Sequence, residues 1–559
     1  MRIDKARASG LHVAGFLSYE LAYMLEPKLR NLIHNNRQSP LIWMGLFNEP
    51  QRLKSDETLK FINALAADNH RVEQLRLSLA KETYLQAVQR VKAYIAAGDV
   101  YQINLTFKYL FELVGSSWSL YASLRQRQQV AHGAFIQTHD FDVLSFSPEL
   151  FIDVTDGVAT TRPMKGTAAR GLTTTEDDEL RHWLVNDEKS RAENLMIVDL
   201  LRNDLGRIAE IGTVSIENLF SVETYPTLHQ MTSTVMAHLD GKISTSKLIN
   251  NLFPCGSITG APKVRAIEII RELETGPRGI YTGSIGMFDP NGDIKFNVAI
   301  RTLVIDRMGH GEMGIGSGIV YDSDSSAEYE ECLLKARFLT EPKNTYSLIE
   351  TLRWQADGGY YLLENHLERL ENSALHFGIA YNASLILSAL EELVTEFVNS
   401  AVRVRLLLDQ TGKLTLTHVP LSELKLSNHL TYVFSTKTID SRDLYRYHKT
   451  TNRKLLDGEY KKLTAKIGCD EVLFLNEKGE ITEGSRSNLF VKLDECLVTP
   501  PTTCGLLNGT FRRSLFDAPN CNIIEQVLLP SDLERAQCIY LGNSIMGLIA
   551  AHAHPSLIK

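Results

Sequence analysis

The chain has 559 residues, 44% of them hydrophobic, 23% charged and 8% aromatic, a balance that can close a sizeable core and makes disorder a poor description. At about 150 residues per domain, that length sets a prior of about four units. Lys and Arg number 59 against 67 Asp and Glu, a net charge of −8, so the chain has no global basic footprint for nucleic acid.

The opening stretch, Met1-Arg-Ile-Asp-Lys-Ala-Arg-Ala-Ser-Gly10, lacks the apolar core of a signal peptide, and no run reaches the roughly 18 apolar residues of a membrane span. A cytoplasmic protein is expected. Helical patterns follow over 82–97, 177–204, 246–252 and 262–273, and β-branched runs over 143–146, 283–288, 299–305 and 314–320 read as strands. A helix over 327–339 meets the polar, Pro-containing hexapeptide 340–345, which divides the chain into a body over 1–340, a linker over 341–345 and a body over 346–559. In the second body, strands are expected over 346–353, 360–363, 401–408, 414–419, 471–476 and 488–493, and helices over 366–376, 382–397 and 449–465. Both bodies read as α+β, the first with mainly antiparallel sheets and the second large enough for two lobes. The seven Cys form no CxxC pair and no even disulfide framework, which suits a reducing compartment.

In the first body, Thr161-Arg-Pro-Met-Lys-Gly-Thr-Ala168 holds Lys165 between a Pro-fixed turn and Gly-Thr. Close to backbone, desolvation or a neighbouring cation would leave a free amine. Taken alone, the octapeptide is a surface turn with a solvated lysine. Ser147-Pro-Glu149 places a carboxylate near the end of a hydrophobic strand. The acidic stretch 187–206 has apolar residues at 195, 198, 201 and 205, with Gly206 placed as a C-terminal cap. Glu328, Glu331 and Lys335 share one helix face, where Glu331 and Lys335 make at least an ordinary i,i+4 ion pair. Glu193 and Glu331, carboxylates from different helices, would suit Mg²⁺. Gly256-Ser-Ile-Thr259-Gly-Ala-Pro-Lys263 enters a helix with Pro in its first turn, leaving N–H groups to face an anion. Gly314-Ile-Gly316-Ser317-Gly318 lets backbone approach a ligand, and Arg301 offers a bidentate fork for a carboxylate.

In order along the chain, from about Gly15 to Leu339, these segments resemble the chorismate-utilising enzymes. The matching motifs are Ser147-Pro-Glu149, Pro163-Met-Lys165-Gly-Thr, Ala192-Glu193-Asn-Leu-Met-Ile-Val-Asp-Leu, Gly256 to Lys263, Ile300-Arg301-Thr and Glu328-Tyr-Glu-Glu331. Lys165 is similar to the lysine of the aminodeoxychorismate synthase branch, where anthranilate synthases carry Ala. The resemblance implies an α/β sandwich that binds chorismate, with Mg²⁺ on Glu193 and Glu331. It implies substrate contacts from Thr259, Tyr281, Arg301, Gly316, Ser317 and Lys335. Lys165 would attack ring C2 and expel the C4 hydroxyl with Glu149 as acid, after which ammonia adds at C4. Family members have further sequence before the segment matching Gly10 to Glu20, so this body reads as short at its front. Gln230 stands where several relatives carry His, and neither it nor His229 is assigned an acid role.

In the second body, Lys449 opens a helical pattern, and Thr482-Glu483-Gly-Ser-Arg-Ser487-Asn488 and Gly505-Leu-Leu-Asn-Gly-Thr510-Phe511 form turns whose N–H groups could cradle phosphate. Together with His366-Leu-Glu-Arg369 they resemble the fold-type-IV pyridoxal-phosphate enzymes, most of all the aminodeoxychorismate lyase branch. The resemblance implies a two-lobed domain in which Lys449 holds the cofactor, Glu483 pairs with the pyridine nitrogen, and Arg369, Ser487, Asn488, Thr510 and Phe511 take the phosphate. Lys449 would then remove the C4 proton of the substrate while C3 expels pyruvate.

The product implied by the first body is the substrate implied by the second, so the expectation is a bifunctional enzyme of 4-aminobenzoate formation for folate. None of the seven Cys lies in a nucleophile elbow, which points to ammonia from a separate glutamine amidotransferase subunit. The family analogy adds dimerisation through the second body. Two alternatives stay open: an isochorismate or anthranilate synthase fused to an amino-acid aminotransferase, and a non-catalytic first body joined to an active lyase.

Overall fold

The computed structural model describes residues 2–555 except 67–68, 129, 226–227, 240–242, 341–344, 398–400, 424–427 and 520. The chain divides into two compact units, Met1–Ala168 with His182–Lys343, and Ala169–Arg181 with Asn344–Lys559. Most of the expected linker over 341–345 lies outside the described residues.

The first unit is built on two antiparallel sheets. Among the described residues one has nine strands, with Leu228–His238 pairing Ser215–Thr224, Val158–Arg162 and Met164–Ala169 toward one edge and Ile42–Phe47 forming the other edge. The second has seven, centred on Gln102–Gly115 paired with His310–Ile319. Each sheet has its own core. Ile197, Val198 and Leu201 pack with Val154, Val235 and Phe296 in one, and Val88, Cys332 and Ala336 pack with Ile103, Leu303 and Ile315 in the other. Fully burying an aliphatic side chain of this size contributes about 1.5–3 kcal/mol.

Six elements carry the first unit's chemistry: β1 (Gln102–Gly115), β2 (Phe141–Ser147), β3 (Met164–Ala169), α1 (Glu188–Gly206), β4 (His310–Ile319) and α2 (Ser325–Thr340). The acidic run expected as one helix over 177–204 is two helices, Thr174–Asn186 and α1, because Asp187 caps the second by accepting from Ser190 N at 2.8 Å. Arg207, not Gly206, is the C-cap, and Leu195 of the expected apolar stripe is 42% exposed. The strand expected from 299 begins at Thr302, which leaves Arg301 in left-handed backbone at φ 49°.

In the second unit, a four-stranded antiparallel sheet contains β5 (Ser347–Gln355) and β6 (Val402–Asp409) under the helices α3 (Leu363–Phe377) and α4 (Ala383–Val394). Burial alternates along β6, with Val402, Val404, Leu406 and Leu408 turned toward the core. An eight-stranded mixed sheet forms the other lobe, with β7 (Ile481–Gly484) at one edge and parallel pairing on both sides of His429–Phe434. The strand expected over 360–363 is only Gly359–Tyr360, since α3 starts at Leu363. The helix expected from Lys449 begins at Lys454. Lys449 is extended instead: Ile349 N donates to its carbonyl at 2.9 Å, Thr451 N donates to Ser347 O at 2.8 Å, and Leu348 bridges Thr450. Two consecutive β-branched threonines suit that pairing better than a helix. Ala169–Arg181 joins this unit, where Arg170 pairs with Asp177 at 2.7 Å and lies 3.5 Å from His376 Nδ1.

Candidate active sites

In the first unit, β3 and β4 bring Lys165 against Gly318. A Cβ on Gly318 would lie 2.8 Å from Lys165 Nζ and 2.7 Å from Gln102 Nε2, so this position holds the amine only if it has no side chain. Gly166 has φ +85°, and a Cβ there would lie 2.7 Å from Ser190 Cβ of α1. Gln230 steadies the same strand, donating to Gly166 O at 2.8 Å and accepting from Thr167 Oγ1 at 3.2 Å. Burial drives the Lys165 amine below the usual lysine range, with Glu193 pulling the other way and Lys335 adding to the lowering.

Glu149 follows β2 and is 3% exposed. Its Oε1 accepts from Ser257 Oγ at 2.6 Å. Burial pushes its carboxyl up to about 7 despite that bond and the charge of Lys165, so it exchanges a proton near neutrality. On α1, the Glu193 carboxyl is raised by burial, against Lys165 and Lys189 and with Glu328 and Glu331 adding to the rise. Glu331 pairs with Lys335 at 2.6 Å, and Lys335 Nζ also donates to Gly316 O at 3.0 Å. Burial would raise the Glu331 carboxyl, but Lys335, with Lys165 and Lys189, holds it below the usual range. Among the described residues no group of three or more metal-ligating side chains forms. Glu193 and Glu331 are instead a two-carboxylate donor set, which fits Mg²⁺ when water and an anionic ligand fill the other positions.

Arg301 is half-buried, and among the described residues its guanidinium has no hydrogen-bond or ion-pair partner. Burial lowers it to about 10, so it stays charged. Other expected substrate contacts are committed inside the fold. Thr259 Oγ1 donates to Cys255 O at 2.8 Å, its amide donates to Gly256 O at 3.2 Å, Ser317 Oγ bonds Tyr84 OH at 2.9 Å, and the Tyr281 ring covers Gly314. The 256–263 loop therefore does not offer Thr259 outward as an anion contact. It carries Ser257 to Glu149 and Lys263 to Asp204 at 2.7 Å, with Pro262 as the N-cap of the following helix. Gln102, which the sequence reading did not single out, is fully buried on β1 beside Lys165, and neither of its amide atoms has a partner among the described residues. Within Tyr-Gln-Ile-Asn-Leu-Thr it looks like any strand residue; only its position at Gly318 marks it. A cavity of about 650 Å³ lined by Arg37, Arg76, Lys108, Asp140 and Glu312 includes none of these site residues.

In the second unit, burial lowers the Lys449 amine to about 7, helped by Arg369 and Arg453. Glu483 on β7 is raised to about 7 by burial, against Arg453 and Arg446. Asn488 Nδ2 donates to Leu507 O at 2.9 Å and lies 3.5 Å from Glu483. Arg369 makes two bonds to Glu350, at 2.9 and 2.6 Å, through Nε and Nη2, which leaves Nη1 for an anion. His366 Nδ1 meets the same carboxylate at 2.5 Å, and its Nε2 lies 3.3 Å from Thr510 Oγ1. Burial alone would raise Glu350, but the charge of Arg369 and the bonds from His366 and Arg369 hold it down to about 2. Ser487 Oγ is committed to Glu471 Oε2 at 2.7 Å, which anchors the turn after β7. Phe511 is buried on Thr510–Phe516, its ring 6.4 Å from that of Phe490. Glu350 is a site residue that the sequence reading missed, although a lone charge on the apolar side of Leu348-Ile-Glu350-Thr-Leu352 marks it. The deep enclosure of Lys449, Glu483 and Arg369 fits an anionic, ring-bearing aldehyde cofactor such as pyridoxal phosphate.

Residues 2–341 match the model of the chorismate binding enzyme family, and residues 347–553 match amino-transferase class IV. The chain belongs to the chorismate binding enzyme family, extended by a class IV unit. It is 35% identical over 352 residues to the aminodeoxychorismate synthase component 1 of Bacillus subtilis, covering 58% of this chain and 74% of that one. To the protein of the same name from Klebsiella aerogenes it is 44% identical over 257 residues, 46% of this chain and 56% of that one. The chain thus spans between about half and three quarters of the length of these curated relatives. Its fold is similar to the crystal structure of anthranilate synthase component I from Streptococcus pneumoniae, with a TM-score of 0.50 and 26% identity, covering 59% of this chain and 80% of that one.

Proposed function

We propose that the chain converts chorismate and ammonia into 4-aminobenzoate in two consecutive reactions, as part of folate synthesis. The observation that carries this reading is a shared pattern: Lys165 and Lys449 are both driven toward the neutral amine by burial, and each has in its unit a carboxyl that titrates near 7. The amine made by the first unit is the amine handled by the second.

Arg301 and Lys335 meet the substrate carboxylates, and Glu193 and Glu331 would hold Mg²⁺, which supplies positive charge opposite the ring carboxylate. Lys165 Nζ attacks ring C2 as the two ring double bonds shift, and the C4 hydroxyl leaves as water with the proton of Glu149. Ammonia then adds at C4, the double bonds shift back, Lys165 departs from C2 and Glu149 takes up the proton that ammonia releases. Covalent catalysis here replaces one hard displacement by two easier ones.

In the second unit, Lys449 and Glu483 would hold pyridoxal phosphate, Glu483 by pairing with its ring nitrogen, and the cofactor would supply an electron sink. The Lys449 amine takes the C4 proton of the substrate, the C3–O bond breaks, and the departing enolpyruvate is protonated to pyruvate as the ring becomes aromatic. Arg369, through the Nη1 that Glu350 leaves unused, would hold the phosphate together with Asn488 and the chain at Thr510 and Phe511. Relatives carry the name component 1, and a separate amidotransferase chain is assigned here as the ammonia source. Seven free thiols favour the cytoplasm, and no helix among the described residues is long and apolar enough to cross a membrane. Pairing of two copies through the second unit completes the proposal and is read by sedimentation.

The test incubates the purified chain with chorismate, ammonium, Mg²⁺ and pyridoxal phosphate. 4-Aminobenzoate is expected, and its formation should vanish in Lys165→Ala. Anthranilate or isochorismate as the main product, or an unchanged rate in Lys165→Ala, overturns the reading.

A further inference from the structure

The face of the second unit's small sheet that turns away from α3 and α4 carries arginines. Leu348 and Leu352 of β5 and Val402, Val404 and Leu406 of β6 pack into the helical core, and Glu350 on the same side meets α3. The alternate residues form the other face. Arg353 stands directly across from Arg403, and Thr351 across from Arg405. Lys449 belongs to that face as well, since the bridge Leu348 to Thr450 sets Ile349 beside Lys449. At about 3.3 Å per residue, the Arg405 row lies about 7 Å and the Arg353–Arg403 row about 13 Å along the strand from the lysine.

Like charges directly across a ladder repel. Among the described residues none of these arginines has an acidic partner. Arg353 stacks on Tyr361 with its guanidinium 4.5 Å from the ring centroid and donates to Ile545 O at 3.3 Å, while its Nε is buried without a partner. Arg403 is held below the usual arginine range by burial and by the charges of Arg405 and Arg486. Arg486, over the Tyr460 ring at 3.9 Å, approaches from the turn after β7. Asn543 connects the two sides, donating to Arg486 O at 3.0 Å and accepting from Ile545 N at 2.9 Å.

We propose that Arg353, Arg403, Arg405 and Arg486 form a carboxylate-recognition site beside Lys449, built for a substrate amine with two carboxylates, one on a ring and one on an ether arm. Two guanidinium rows at different distances from the lysine discriminate such a dicarboxylate from an amine with one carboxylate, because each fork takes one carboxylate in bidentate geometry. The inference rests on the function proposed above and names the residues that select its intermediate.

The test is a footprint on the full chain loaded with pyridoxal phosphate. Phenylglyoxal modifies accessible arginines, and peptide mass mapping reads each one separately. The probe is 3-(carboxymethoxy)benzoate, which has both carboxylates and no amine; benzoate is the comparison. With the dicarboxylate at a concentration that fills nine-tenths of the site, modification of Arg353 and Arg405 is expected to slow about tenfold, and with benzoate by less than about twofold. In the Arg403→Gln/Arg405→Gln double variant, protection of Arg353 should be lost. The amine intermediate should accumulate from chorismate and ammonium while the cofactor absorbance stays unchanged. Absent or equal protection by the two probes, alongside normal 4-aminobenzoate formation, overturns the site alone. Selective protection without 4-aminobenzoate formation supports the site and overturns the function proposed for the chain.

Discussion

Gly318→Ala tests the placement of the nucleophile most directly. The added methyl would sit 2.8 Å from Lys165 Nζ and 2.7 Å from Gln102 Nε2, where ordinary contact begins at 3.4 Å. One or both groups must therefore retreat by about 0.6 Å or more, the scale on which reactive geometry is lost. Both are ends of flexible side chains, and Gly318 is not in left-handed backbone, so the fold has little to relax. The stability cost should stay below about 1 kcal/mol, which is about 1–2 °C in Tm for a unit of this size. Misplacing the amine by up to about 1 Å should cost the ammonia-dependent reaction about 10- to 100-fold in kcat. The assay follows 4-aminobenzoate from chorismate and ammonium, with thermal unfolding and cofactor absorbance recorded on the same sample. A variant that turns over within about twofold of wild type would place the attacking amine somewhere other than Gly318.

Four further outcomes follow from the same geometry. Glu149 is acid-competent below its raised pKa of about 7, so at constant free ammonia the first reaction should fall as pH rises through about 7, and Glu149→Gln should remove that limb. The Lys449 amine is neutral above about 7, so stopped-flow reloading of pyridoxal phosphate should slow as pH falls below that value, the opposite direction. Glu350→Gln leaves Arg369 without its counter-charge and His366 without its carboxylate acceptor; breaking a buried pair of this kind costs about 3–5 kcal/mol, and calorimetry should show it in the second unit's transition only. Arg301→Lys keeps the charge but loses the fork, so KM for chorismate should rise about tenfold with a smaller change in kcat; an unchanged KM would remove Arg301 from substrate binding.

Much of both sites is legible as motif because chemistry restricts residue type where packing does not. A lysine in Pro-Met-Lys-Gly-Thr and a carboxylate in Ser-Pro-Glu can be read without a fold. The alternation Val402-Arg-Val-Arg405 marks a one-sided strand for the same reason that Leu348 and Leu352 do. The misplacements have physical causes. The amphipathic pattern after Lys449 predicts a helix opening there, but pairing with β5 outweighs local pattern for Lys449 to Thr451. Thr259 and Ser317 look like free hydroxyls in sequence, and their engagement with Cys255 O and Tyr84 depends on contacts from distant segments. Gln102 carries no sequence signal, since what distinguishes it is the partner it lacks.

Buried polar groups elsewhere in the chain show what a full set of partners looks like. Arg278 is nearly fully buried yet complete, with two bonds to Glu274, carbonyls of Asn104 and Ile258, and the Tyr19 ring beneath it. Glu471 likewise spends its carboxylate on Ser485, Arg486 N and Ser487. Both groups hold loops and offer nothing to a ligand. Gln102 is buried and unpaired, Arg353 has a buried Nε without an acceptor, and the half-buried Arg301 has no hydrogen-bond partner for its guanidinium among the described residues. An unmet buried group such as those of Gln102 and Arg353 costs about 1–3 kcal/mol in the folded chain, and Arg301 is held in left-handed backbone. A fold that satisfies Arg278 at every donor has the means to satisfy these as well. The function proposed for the chain would supply a partner for each: a carboxylate at Arg301, a polar ligand group at Gln102, and a second carboxylate at Arg353.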